Sequence, residues 1–296
     1  MPNILRWAAL GMVVAVSACA PAASEDAADD RPVVLSTFTV TADMVRVVGG
    51  DAVRVESLLP IGAEVHGYEP TPGDLRRAAD ADLVIDNGLG LEAWFEQFMR
   101  RLDVPRVAAA EGIDAIMIDG TDEPNPHAWM SPRDSTRYVD RIEEALVDLV
   151  PEARGDIVAR ADRYRADLAA LEGRLREAAA EVPVERRLLV TCEGAFSYLA
   201  RDAGLEEAYL WPVNSEHQVT PRRAADLDDL LERREVPAVF CESTVSSQTM
   251  RQLAGATDTP FGGTLYVDSL SGPDGPVPSH LDLLGHAVDL IVDALR

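Results

Sequence analysis

Short runs of Val, Ile and Leu alternate with amphipathic stretches along the whole chain. VVLSTF, VRVESLLP, ADLVIDNG and RVAAAEG occupy the first half, and RLLVTCEG, AYLWPV, PAVFCES and TLYVDSLS the second. Runs that stay apolar, rather than alternating, belong to strands covered on both faces, and helical stretches between them imply parallel sheets. Two such sets predict an α/β fold of two lobes, residues 31–150 and 183–296. Between them EARGDIVARADRYRADLAALEGRLREAAAEV runs without a proline from Pro151 to Pro183. Ile157, Ala161, Tyr164, Leu168, Leu171 and Leu175 fall at three- and four-residue steps, so one face is apolar over many turns. At about 1.5 Å per residue this linking helix over 151–182 is a strut of roughly 45 Å. A coiled-coil arm is the competing reading, and Gly155 and Gly173 inside the segment argue against it.

The start of the chain follows another pattern. Arg6 precedes an apolar run from Trp7 to Val16, then small residues, then Cys19, which is the grammar of a signal peptide. The run is too short to span a bilayer comfortably. Val16-Ser17-Ala18-Cys19 resembles the bacterial lipobox, so residues 1–18 are read as a cleaved leader and Cys19 as the lipidation site. Residues 19–30, with PAASEDAADD, are read as a flexible tether without core-forming side chains.

Charge narrows the function. The chain has 296 residues and a formal net charge of −24, which argues against nucleic acid, whose phosphates demand a basic surface. An acidic surface draws cations, but only loosely. Every one of the 27 basic residues is arginine. Cys192 and Cys241 each end an apolar strand-like run, and an exported protein lives where disulfides persist. If the two strands are neighbours the thiols pair; otherwise they are two buried free cysteines.

The candidate chemistry gathers at strand ends, where open α/β sheets collect binding groups. His66 lies in the loop after VRVESLLPIG, and Pro72-Gly73-Asp74 opens the next helix. His127 lies in PNPHAWMSPRD, a loop stiffened by Pro124, Pro126 and Pro132, with a helix expected near Ser135. RLLVTC runs into Glu193, and TLYV into Asp268. Singly, such carboxylates cap helices and such histidines bond to loops. Together, two imidazoles and two carboxylates suit Mn, Fe or Zn. No HExxH helix and no Gly-x-Ser-x-Gly elbow accompanies them.

HGYEPTPGD, NPHAWMSP, TCEGAFSYLARDAGL, WPVNSEHQVTP, FCESTV and GGTLYVDSLS resemble, in order and spacing, the metal-binding solute-binding lipoproteins of ABC importers, closest to the manganese and iron branch. The resemblance covers essentially all of the chain after the tether. It implies two α/β lobes joined by one long helix, and one divalent metal ion as transported ligand in the cleft between them, held by His66, His127, Glu193 and Asp268. Mn(II) is the preferred cargo, with Fe(II) or Zn(II) as alternatives, because the zinc branch usually has a third histidine where this chain has Glu193. His217, in NSEHQVTP, stands where relatives often have glutamine or glutamate. The implied partners are a membrane permease with its cytoplasmic ATPase. The implied protein is a monomer, exported and lipid-anchored on the outer face of the cytoplasmic membrane, that catalyses nothing. An exported metallohydrolase and a surface adhesion protein with a structural metal are the rival readings. Because imidazole must be neutral to ligate, metal affinity is expected to fall near pH 6.5.

Overall fold

The computed structural model describes residues 29–213, 219–234 and 236–295. The first half runs β1 (Val33–Ser36), α1 (Thr39–Gly49), β2 (Arg54–Ser57), α2 (Pro72–Ala79), β3 (Leu83–Asp86), α3 (Ala93–Met99), β4 (Arg106–Ala108) and α4 (Pro132–Leu149). The linking helix α5 (Arg154–Glu181) follows a short 3-10 turn at Pro151–Ala153. The second half runs β5 (Leu188–Glu193), α6 (Ser197–Ala203), β6 (Glu206–Trp211), α7 (Pro221–Arg234), β7 (Val239–Glu242), α8 (Gln248–Ala256), β8 (Phe261–Leu265) and α9 (His280–Leu295).

Each half is one four-stranded parallel sheet, ordered β2-β1-β3-β4 and β6-β5-β7-β8. The two orders are the same, so each sheet has one place where successive connections leave in opposite directions, beside β1 and beside β5. Strands β3, β5 and β7 are buried at every residue, as continuous apolar runs between helical layers require. Val190 of β5 pairs with Val239 of β7. Two residues further along the same register Cys192 and Cys241 are joined by a disulfide, with Cα atoms 4.8 Å apart.

Local chemistry sets the helix starts after the loops that carry His66 and His127. Thr71 and Asp74 form a reciprocal capping box at the head of α2, with Pro72 in its first turn. Helix α4 begins at Pro132, three residues before the expected start near Ser135. Ser131 accepts from the N–H of Asp134, and the fixed φ of Pro132 suits a first helical position.

Helix α5 has 28 residues, about 42 Å at the usual rise. Ile157, Ala161, Tyr164, Leu168, Leu171 and Leu175 are all buried. The helix packs on α1 and α4 of the first half and on α6 and α9 of the second. One hydrophobic cluster therefore runs from Val34 in β1 through Tyr164 to Ile291 in α9. Buried hydrogen bonds also cross between the halves: Leu270 N–H to Thr39 Oγ1 (3.0 Å), His280 N–H to Asp43 Oδ2 (2.9 Å) and Trp129 Nε1–H to the Val267 carbonyl (3.0 Å). Residues Arg31–Arg296 form one compact unit.

Candidate metal centre

All four expected residues meet in one place. His66 follows β2 in a surface loop that turns at Gly62, whose φ of 81° favours glycine. The Glu64 carboxylate accepts the N–H of His66 (2.6 Å) and of Gly67 (2.8 Å), and the Trp94 indole donates to the Val65 carbonyl (2.9 Å). These bonds hold the loop with the His66 Nε2 atom 3.1 Å from Nε2 of His127.

His127 sits just before a 3-10 turn at Ala128–Met130 and is wholly buried. Asn125 Oδ1 accepts both its backbone N–H (3.0 Å) and its ring Nδ1–H (2.9 Å). With the proton on Nδ1, Nε2 keeps its lone pair for a ligand. The Asn125 amide nitrogen donates across the cleft to the Gly194 carbonyl (2.7 Å) and to Ser197 Oγ (3.2 Å). One side chain thus fixes His127 and ties its loop to the residue after Glu193.

Glu193 is the last residue of β5 and is 3 % exposed, with Oε1 3.6 Å from His66 Nε2. Its backbone N–H donates to Glu242 Oε2 (3.2 Å), at the end of the neighbouring strand β7. Asp268 lies beyond β8, with Oδ1 3.6 Å from His127 Nε2 and 4.0 Å from His66 Nε2, and Oδ2 accepting from Thr244 Oγ1 (3.3 Å). Asp268 Oδ1 is buried without a hydrogen-bond partner. His66, His127 and Glu193 offer ligand atoms within 4.8 Å of one another, and so do Glu64, His66 and Asp268.

The electrostatics favour a cation over a proton. Burial, reinforced by His127 and opposed by Asp268, lowers the His66 pKa to about 4, so its imidazole is neutral over the physiological range. Burial alone would raise Asp268, but the nearby His127 and His66 and the Thr244 hydroxyl outweigh it and hold the carboxyl below its ordinary value. Two imidazoles, that of His66 neutral, beside an ionised, under-bonded carboxylate form a donor set for a divalent ion of intermediate softness.

Two residues of this centre escaped the sequence reading. Glu242 is 2 % exposed, its Oε1 has no hydrogen-bond partner, and burial raises its pKa to about 8. It ends the apolar run PAVFCE as Glu193 ends RLLVTCE, so the strand-end pattern that singled out Glu193 applied to it equally. Asn125, within PNPH, carried no comparable pattern. The expected lipidation site Cys19 and the pocket candidate His217 lie outside the described residues. Among the described residues no helix is long and apolar enough to cross a membrane.

Known proteins resemble this chain over nearly its whole length. The family model described as zinc-uptake complex component A, periplasmic, matches residues 34–294. The chain is 41% identical over 298 residues to the iron-binding protein YfeA of Yersinia pestis, covering 97% of this chain and 95% of that one. It is 30% identical over 263 residues to the manganese-binding lipoprotein MntA of Halalkalibacterium halodurans, covering 88% of each. The Mn-bound periplasmic metal binding protein from Candidatus Liberibacter asiaticus superposes with a TM-score of 0.82 at 36% identity, over 90% of this chain and 100% of that one. The chain accordingly belongs to the zinc-uptake complex component A family, and so to the substrate-binding proteins of metal ABC transporters.

Proposed function

We propose that this chain is a lipid-anchored extracytoplasmic receptor that captures one divalent metal ion, Mn(II) first among Mn, Fe and Zn, and delivers it to a membrane permease with its cytoplasmic ATPase. His66, His127, Glu193 and Asp268 are the ligands, and no bond of the cargo is made or broken. The observation that carries the reading is the convergence of two imidazoles and two carboxylates, no side chain more than 7% exposed, on one point between the sheets. The relatives' names support the anchor and compartment: MntA is a lipoprotein and the Liberibacter protein is periplasmic. On this reading residues 1–18 are the leader, Cys19 carries lipid and 19–30 is the tether. Residues 31–150 and 183–296 are the lobes of a monomer, and 151–182 is the helix between them.

The choice of Mn(II) rests on Glu193. A carboxylate can bind through two oxygens and supports the higher coordination numbers of Mn(II), whereas imidazole offers one nitrogen and favours tetrahedral zinc. The family's description, by contrast, names zinc. Metal analysis of protein purified without chelator, followed by competition between Mn(II) and Zn(II), separates the two. Glu193→His should shift the affinity ratio toward zinc, even if the lost negative charge weakens both metals. An unchanged ratio would remove the ground for preferring manganese.

A further inference from the structure

Of the four converging side chains His66 is the most exposed, at 7%, and it stands in a surface loop whose neighbours Ile61, Gly62 and Gly67 are open to solvent. Two residues before it, Glu64 is half-buried, with one carboxylate oxygen on the N–H of His66 and the other on that of Gly67. A carboxylate has about four lone-pair sites, so each oxygen keeps acceptor capacity beyond these bonds. Glu64, His66 and Asp268 offer ligand atoms within 4.8 Å of one another. Buried atoms on two of the three, His66 Nδ1 and Asp268 Oδ1, have no hydrogen-bond partner. Glu64 thus stands on the solvent side of a second donor set that overlaps the inner one.

We propose that Glu64, His66 and Asp268 form a loading station for a divalent cation at the mouth of the metal centre. The proposal rests on the inner four being the cargo site. The two sets share His66 and Asp268 and differ only in Glu64 against His127 and Glu193. An ion can therefore pass between them by exchanging one set of oxygen and nitrogen donors for the other, without being stripped of ligands on the way. In a chain of net charge −24 many carboxylates draw cations loosely, but Glu64 is held by two backbone N–H groups beside the first ligand on the inward path. A stepping stone lowers the barrier in both directions, so it sets the rate of exchange rather than the final affinity.

Stopped-flow transfer of Mn(II) between the protein and a chelating indicator dye gives association and release rates separately. Glu64→Gln removes the charge and keeps one oxygen acceptor for the two N–H groups, so one of them loses its partner. It should slow both rates about tenfold, in the range of electrostatic focusing, with Kd within a factor of about three of wild type. Glu64→Asp, which retains the charge, should recover most of both rates. Faster release at unchanged association would make Glu64 only a brace for the His66 backbone, and unaltered rates would give it no part in loading; either result overturns the proposal. Wild-type protein that takes up no Mn(II) would overturn the cargo site itself, and the loading station with it. Melting curves of both variants establish that they are folded.

Discussion

Replacing Asn125 by alanine tests whether the centre depends on how His127 is held. The substitution removes the oxygen that accepts His127 Nδ1–H and N–H, and the amide that donates to Gly194 and Ser197. Partners that orient a ligating histidine typically account for 10- to 100-fold in metal affinity, or about 1.4 to 2.7 kcal/mol. The buried Gly194 carbonyl also loses its donor, which costs about 1 to 3 kcal/mol of stability independently of metal. Titration against a chelator of known affinity should therefore show Mn(II) binding weakened by one to two orders of magnitude. Thermal melting of the metal-free protein should show a separate loss. Asn125→Asp keeps an oxygen against Nδ1 and should recover most of the affinity, but not the stability lost with the donor to Gly194. Ser197→Ala, which touches only the far end of the network, should leave affinity close to wild type. Wild-type affinity in Asn125→Ala, or an equal loss in Ser197→Ala, would refute the reasoning.

Two further outcomes are expected. Burial lowers the His280 pKa from 6.5 to about 4. Above pH 6.5 the ring is neutral folded or unfolded; as pH falls from 6.5 toward 4 only the unfolded chain takes the proton, and about 3 kcal/mol of stability is lost at roughly 1.4 kcal/mol per pKa unit. The stability difference between wild type and His280→Asn, from urea melts across that window, should narrow by an amount of this order, and a difference independent of pH would contradict it. Leu168→Ala, at a fully buried position on α5, should cost about 2 to 5 kcal/mol in the same melts, and a cost under about 1 kcal/mol would mean that the helix is not packed as described.

Most of the fold was readable from the residues because parallel sheets and a one-faced helix both write themselves as periodicities. The six apolar residues of α5 were placed on one face by spacing alone, and all six are buried. The four side chains that converge were singled out in the sequence because each stands at the end of a strand or in a loop that follows one, that of His127 stiffened by proline. What was not readable depends on three-dimensional neighbours. Helix α4 starts before Ser135 because Ser131 caps it and Pro132 fits its first turn. Asn125 acquires its meaning only when Gly194 comes within 2.7 Å of it. The His66 pKa departs from its ordinary value because of burial, which no residue string states.

The shared interior along α5 has a consequence for how cargo and folding are linked. Tyr164 and Leu168 belong to the same hydrophobic cluster as β1 on one side and α9 on the other, so neither sheet can melt while the other stays intact without exposing that common core. Heating should accordingly give one cooperative transition. On the proposed assignment the ion is gripped by residues from both sheets and binds only the intact molecule. Once free metal exceeds Kd, each tenfold rise in its concentration adds about 1.4 kcal/mol to the stability of the whole. The melting temperature of this receptor is therefore a gauge of the metal around it, and an unloaded copy is the one that proteases outside the cell would reach first.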